Sequence, residues 1–169
     1  MKYSIVYSSK TGNTKQVAEE ILNFYGYDKC AYFGNPSYEA LQANVIFVGF
    51  WTDKSRPNSE CIEFLKQIDN KKIFIFGTAG FGKSDQYFKK ILKKSIKCIK
   101  NSNEILGTFM CQGKMPDVVR ERYVRMAEKP IHIPNIQKMI ENFDEAKTHP
   151  DELDLQRLKE CLEKIVILF

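Results

Sequence analysis

Ile5-Val6-Tyr7-Ser8-Ser9-Lys10-Thr11-Gly12-Asn13-Thr14 is an apolar run that breaks into hydroxyl-bearing residues around a single glycine. With Tyr3 and Ser4 before it, the apolar part reads as a short strand. From Thr14 onward, Val17, Ala18, Ile21, Leu22 and Tyr25 recur at helical spacing, and Gly26 stops the run. Ser8 to Thr14 therefore leave a strand and open a helix. They combine hydroxyls in close succession, one glycine for a tight backbone path, and a helix start. Such a start carries about half a positive charge, and its unpaired amides suit a phosphate. Read by itself, the loop is also a polar turn with a Ser/Thr cap.

Working outward, Val45-Ile46-Phe47-Val48-Gly49 and Ile73-Phe74-Ile75-Phe76-Gly77 repeat the first run's character. Continuous rather than alternating hydrophobicity suits strands buried on both faces, which points to a parallel sheet. Ile105 to Met110 reads as a further strand, and Cys30-Ala31-Tyr32-Phe33 as a weaker one towards an edge. Helical spacing fills the gaps: Ser59 to Ile68 groups Ile62, Leu65 and Ile68, and Ser84 is placed to cap a helix carrying Phe88, Ile91, Leu92 and Ile99. Strands alternating with helices predict an open, doubly wound α/β sheet.

One stretch exceeds a minimal unit of this kind. Met115 to Pro150, about 35 residues with Pro116, Pro130, Pro134 and Pro150, has room for two short helices, Asp117 to about Ala127 and Asn135 to about Ala146. Asp151 then caps a last helix with Leu155, Leu158, Leu162 and Ile165 on its inner side. The segment 115–150 reads as an insertion at the carboxyl edge of the sheet, where ligands bind in this architecture. Extra helical packing away from any site fits the same residues.

Ile5-Val6-Tyr7, Ser9, Gly12, Thr14, Ala18 and Ile21 closely resemble the flavodoxin signature for the phosphate of FMN. The resemblance covers about residues 1–113 and the last helix. It implies a single flavodoxin-like domain over 1–169: a five-stranded parallel sheet in order 2-1-3-4-5, helices on both faces, and an insertion after the fifth strand. It implies that Ser9, Lys10, Thr11, Gly12, Asn13 and Thr14 hold the phosphate. Phe50-Trp51-Thr52-Asp53-Lys54 then follow the third strand, with Trp51 where a flavodoxin sets an aromatic over the flavin ring. Thr78-Ala79-Gly80-Phe81-Gly82 follow the fourth, with amides for the ring edge and Phe81 as a stacking or lid residue. Cys111, Gln112 and Gly113 end the fifth; Cys111 reads either as a group at the flavin edge or as a buried, inert thiol.

In detail the chain resembles flavodoxin-like proteins of anaerobic bacteria linked to bilirubin reduction. That likeness rests on residues 49–54, 76–82, Met110 to Pro116 and Asn142 to Ala146. The implied function is electron carriage by FMN between a reductase and an acceptor protein, with no catalytic side chain. The alternatives are direct reduction of a small substrate, a tetrapyrrole such as bilirubin or a quinone, and a flavin-free interaction domain.

Gly77-Thr78-Ala79-Gly80-Phe81-Gly82-Lys83-Ser84 also fits the phosphate loop G-x-x-x-x-G-K-[ST]. That loop normally follows the first strand of its sheet, and a later strand ends in an Asp for Mg²⁺. Here one clear strand follows, running into Cys111-Gln112. Ser8-Ser9 and Gly49-Phe50 stand where a response regulator needs acids. No G-x-G-x-x-G indicates a nicotinamide site.

The 169 residues carry 26 Lys plus Arg against 21 Asp plus Glu, a net charge of +5, and 43% are apolar. This composition excludes a disordered chain. No apolar run approaches the roughly 18 residues that span a bilayer. Five cysteines without a C-x-x-C pair argue against a disulfide framework, so the expected location is the cytoplasm. Between Lys83 and Lys100 stand seven lysines and one acid, Asp85, whereas 141–164 holds eight acids and four bases. Flavodoxins are usually acidic, so this polarity departs from the pattern. Lys83 is expected at the surface, opening that lysine-rich helix. No aromatic-studded groove marks the lysines for nucleic acid. Lys54, Arg56 and Lys114 beside the proposed flavin loops favour an anionic reduced ring and acidic partners. His132 and His149 show no ligand spacing, so no metal is expected.

Overall fold

The computed structural model describes residues 2–82 and 84–165. Five strands pair in parallel: β1 (Tyr3–Tyr7), β2 (Cys30–Gly34), β3 (Val45–Asp53), β5 (Lys72–Ala79) and β6 (Glu104–Gln112). A two-residue strand, β4 (Arg56–Pro57), folds back antiparallel on β3. The order β2-β1-β3-β5-β6 is the predicted one, with β4 standing off the path. As expected, β2 lies at an edge.

Both faces of the sheet are buried, which is why the strands read as unbroken apolar runs. On one face Ile46, Val48, Phe50, Ile73 and Ile75 meet Cys61, Phe64 and Leu65 of α2 (Ser59–Gln67) and Phe88 and Ile91 of α3 (Asp85–Ile96). On the other, Tyr3, Ile5, Phe47, Phe74 and Phe76 meet Val17 and Ile21 of α1 (Asn13–Tyr25) and Leu158 and Leu162 of α6 (Glu152–Glu163). Each large side chain taken fully out of water contributes about 1.5–3 kcal/mol. Among the described residues no helix is long and apolar enough to cross a membrane.

The strands run further than the sequence suggests. Phe50 pairs with Gly77 and Trp51 with Thr78, and Thr52 and Asp53 pair with Pro57 and Arg56. Phe50 to Asp53 therefore lie on β3, not in a loop. Thr78 and Ala79 belong likewise to β5, and Cys111 and Gln112 to β6. The reason is that β-branched and aromatic residues continue past the glycines taken as strand ends. The actual turn is at Lys54 and Ser55, both left-handed with φ of 46° and 61°.

The insertion holds α4 (Asp117–Ala127) and α5 (Ile136–Ala146), within a residue of expectation. Phe143 and Ala146 are fully buried. Arg120 joins the two helices by donating from Nε and Nη2 to Asp144 at 2.8 and 3.1 Å. Ser84 precedes α3 but its hydroxyl makes no cap; its carbonyl accepts from Tyr87 and Phe88 instead. Asp151 caps α6 as predicted, in a reciprocal box with Asp154.

Hydrogen bonds from Arg120 and then Lys147 hold the Asp144 carboxyl down at about 2. A carboxylate whose pKa is depressed on folding stabilises the fold above its unfolded pKa of roughly 4, and this is lost as pH falls through the folded value. Melting curves of Asp144→Asn and the parent protein are expected to differ by a constant amount above about pH 5 and to converge towards pH 2. A gap that persisted at pH 2 would contradict the pairing.

Candidate functional site

At the carboxyl edge the loop between β1 and α1 reaches the ends of β3 and β5. Gly12 supports this turn with φ of 85°, a conformation that side chains with a Cβ resist. Ser9 Oγ accepts the Lys15 N–H at 3.3 Å, and Gln16 N–H closes the first helical turn on Gly12. The N–H groups of Gly12, Asn13 and Thr14 then have no partner among the described residues. They form a cradle of open donors at the positive end of α1.

Not every hydroxyl of the loop faces this cradle. Thr14 is 1% exposed, and its Oγ1 lies 2.9 Å from Thr78 Oγ1. That bond ties the helix start to β5, leaving only the Thr14 amide for a ligand. Asn13 is also buried. Its Nδ2 donates to Thr11 Oγ1 and to the Lys114 carbonyl, both at 2.8 Å, while its Oδ1 is unpaired.

Beside the cradle is an open cleft of about 450 Å³, within the range of small-molecule sites. Lys10, Thr11, Asn13, Trp51, Thr52, Thr78, Ala79 and Gly80 line it, bringing together all three predicted segments. Lys10 Nζ stands 5.2 Å from the Trp51 ring centre. Thr52 Oγ1 is buried and unpaired. The opposite wall is Lys114, Met115, Pro116, Val118 and Val119, from the head of the insertion. Of these, Lys114 was singled out from sequence by its charge, and Met115 and Pro116 only as part of the stretch that carries the family likeness. Val118 and Val119 belong to no motif, and the signal for them was the insertion's place at the carboxyl edge.

Other predicted residues lie elsewhere. Phe50 is wholly buried in the core, because the pleat sends it to the face opposite its neighbours Gly49 and Trp51. Cys111 is fully buried against the α6 side, and burial pushes its thiol well above the usual range. It is the inert thiol of the two readings. Asp53 and Lys54 sit at the hairpin tip. Phe81 and Gly82 line a separate cavity of about 340 Å³ with Tyr87, Met139 and Asn142, not the cleft holding Trp51. Lys83, expected at the surface, lies outside the described residues.

The close backbone approach expected at the glycines is used by the protein itself. A Cβ on Gly80 would meet Met115 at 2.5 Å, on Gly82 Gln112 at 2.6 Å, and on Gly113 Asn13 at 2.5 Å. Gln112 and Asn142 both donate to the Gly80 carbonyl at 3.0 Å, and Gln112 Nε2 also reaches Asn142 Oδ1 at 3.2 Å. The insertion thus clamps the loop that walls the cleft. Replacing Asn142 with Leu strands part of this buried network, and is expected to cost about 1–3 kcal/mol of stability. A denaturant midpoint within error of the parent's would contradict the clamp.

The structure also gathers His149, Asp151 and Asp154, with ligating atoms within 4.8 Å of one another. Sequence spacing missed this grouping, although residues 149–154 are contiguous. Its oxygens are engaged: Asp154 Oδ2 lies 2.6 Å from His149 Nδ1 and accepts the Asp151 N–H, while Asp151 Oδ1 accepts the Asp154 N–H. It is a helix-capping cluster. The His149 carbonyl accepts the Lys114 N–H at 3.0 Å, so the same corner fixes the backbone beside the cleft.

Residues 4–163 match the family described as Flavodoxin domain. The chain is 36% identical to the flavodoxin-like domain-containing protein BilS of Clostridium symbiosum, over 96% of this chain and 94% of that protein. It is 34% identical to the BilS protein of Clostridioides difficile, over 92% and 90%. Among solved structures, the flavodoxin of Streptococcus pneumonia TIGR4 superposes with a TM-score of 0.60 at 15% identity, covering 97% of both chains. Sheet order, loop placement and sequence likeness agree, and the chain belongs to the flavodoxin family.

Proposed function

We propose that the cleft holds FMN and that the protein carries electrons between a reductase and an acceptor protein. The observation that carries this reading is the union of two features: unpaired amides at Gly12, Asn13 and Thr14, and a cleft beside them walled by Trp51 and Gly80. On this reading those amides and the Ser9 and Thr11 hydroxyls hold the phosphate, and Lys10 adds positive charge. Trp51 offers an aromatic face to the ring, worth about 0.5–1.5 kcal/mol beyond the area it covers. Thr52 and Asn13 fit a polar ligand, since each keeps a buried oxygen without a partner. Met115, Pro116, Val118 and Val119 keep water from one side. When bound, FMN supplies the electron-accepting and electron-donating chemistry, and no side chain acts as acid or base.

The visible spectrum of freshly purified protein tests the cofactor. Flavin bands that vanish on low-pH dialysis and return with FMN but not FAD are expected. A colourless protein that ignores FMN would point to an interaction domain instead.

The apolar wall from Met115 to Val119 favours one second reading, direct reduction of a small substrate such as a tetrapyrrole or quinone beside the ring. Steady-state assays separate the two. A carrier passes electrons only with both donor and acceptor proteins present, whereas a reductase turns over the small molecule without an acceptor protein.

A further inference from the structure

From the sequence alone, the lysines of α3 read as the solvated face of an amphipathic helix. The structure adds what they adjoin. Lys90, Lys93 and Lys97 are exposed, and none forms an ion pair among the described residues. On the same helix, Lys94 Nζ donates to the Ser55 carbonyl at 2.6 Å, and Tyr87 OH lies 3.3 Å from Ser55 Oγ. These bonds hold the β3–β4 turn against α3, although the turn requires left-handed backbone at both Lys54 and Ser55. A strained conformation kept by tertiary bonds is one the surroundings determine.

The turn brings Lys54 and Arg56, both exposed and without a carboxylate partner among the described residues. Two residues before Lys54, Thr52 lines the cleft. One basic strip therefore runs from the outer face of α3, across the turn, to the cleft mouth, where Lys10 and Lys114 continue it. Asp53 and Asp85 are its acidic members. The acid-rich helix α6 packs on the opposite face of the sheet. Charge is thus polarised across the molecule, which orients an incoming charged partner.

We propose that this strip is the docking surface for an acidic protein, which it holds with its edge at the mouth of the cleft. The proposal rests on the electron-carrier reading and names the chemistry of the partner. A protein is favoured over nucleic acid because none of the exposed residues of α3 is aromatic, so the lysines have no ring between them on which a base could stack.

The test uses the full chain loaded with FMN, and K90E/K93E/K97E and R56E variants, none of them in the cleft. The probe is a strongly acidic plant-type ferredoxin, followed by surface plasmon resonance. Binding is expected at about 20 mM salt, weakened at least tenfold by about 200 mM. The triple variant is expected to lose at least tenfold at low salt, and R56E a smaller amount. FMN titration of each variant is run alongside. Unchanged FMN affinity confirms folding and keeps failure of docking distinct from failure of the cofactor reading. The proposal is overturned if charge reversal leaves ferredoxin binding unchanged, or if no binding occurs at low salt. It is equally overturned if a duplex DNA of about 20 base pairs, or a phosphatidylserine vesicle, binds more tightly than ferredoxin at equal salt.

Discussion

Replacing Ser9 and Thr11 together with alanine is expected to weaken FMN binding by about 100-fold or more, with little change in thermal stability. A hydrogen bond to a charged group is worth about 1.5–3 kcal/mol, so two lost bonds amount to about 3–6 kcal/mol, or roughly 10² to 10⁴ in affinity. Neither hydroxyl supports the core. Ser9 Oγ accepts one long bond from Lys15 N–H, and Thr11 Oγ1 accepts from Asn13 Nδ2 at 2.8 Å, but that amide keeps its bond to the Lys114 carbonyl when Thr11 is truncated. Thr14 is the instructive contrast. Its hydroxyl is bonded to Thr78, so Thr14→Ala should lower stability more than FMN affinity. Fluorescence quenching titrations with FMN, together with thermal melts of each variant, check both statements. A loss below about threefold in the double variant would mean that the phosphate is held elsewhere.

Gly49→Ala is expected to destabilise the fold by about 3 kcal/mol, the upper part of the range for overpacked cores. Gly49 is paired with Phe76 across β3 and β5, and an added Cβ would overlap the Phe76 ring. One step along the ladder the arrangement repeats on the other face, where Phe50 lies over Gly77 with 2.5 Å left for a Cβ. Each glycine is the floor on which a buried phenylalanine rests. Phe76 has little room to move aside, because it is fully buried in one cluster with Phe74 and Phe109. For a chain of this size the penalty corresponds to a fall in Tm of about 6–12 °C, read by differential scanning calorimetry. A fall under about 2 °C would show that the sheet can part at this point.

These glycines also show what sequence could and could not disclose. The parallel sheet was legible because two-sided burial leaves an unmistakable trace in Val45–Gly49 and Ile73–Gly77. Strand ends were not, because Gly49 and Gly77 look like punctuation and are in fact spaces for aromatic rings. Trp51 and Thr52 were placed at the right edge for the wrong local reason, as loop residues instead of strand residues. The turn from Ser8 to Thr14 was legible as a donor-rich helix start from its hydroxyls and glycine, yet the inward turn of Thr14 depends on Thr78, 64 residues away. Phe81 read as a stacking or lid residue because it follows the fourth parallel strand at the carboxyl edge, yet it lines a different cavity from Trp51. The bonds from Gln112 and Asn142 to Gly80 give that loop its course, and no local pattern encodes them. The insertion's place at the carboxyl edge was legible, but which of its residues wall the cleft was not, because apolar side chains such as Met115, Val118 and Val119 carry no chemical signature until a cleft forms beside them.

The most direct test of the central claim is a comparison of FMN and riboflavin binding to the unaltered protein, both titrated against the apoprotein by fluorescence quenching. If the open amides at Gly12, Asn13 and Thr14 hold the phosphate, FMN should bind at least 100-fold more tightly than riboflavin, and inorganic phosphate should compete with FMN. Equal affinity for the two flavins, or binding of neither, would contradict the account.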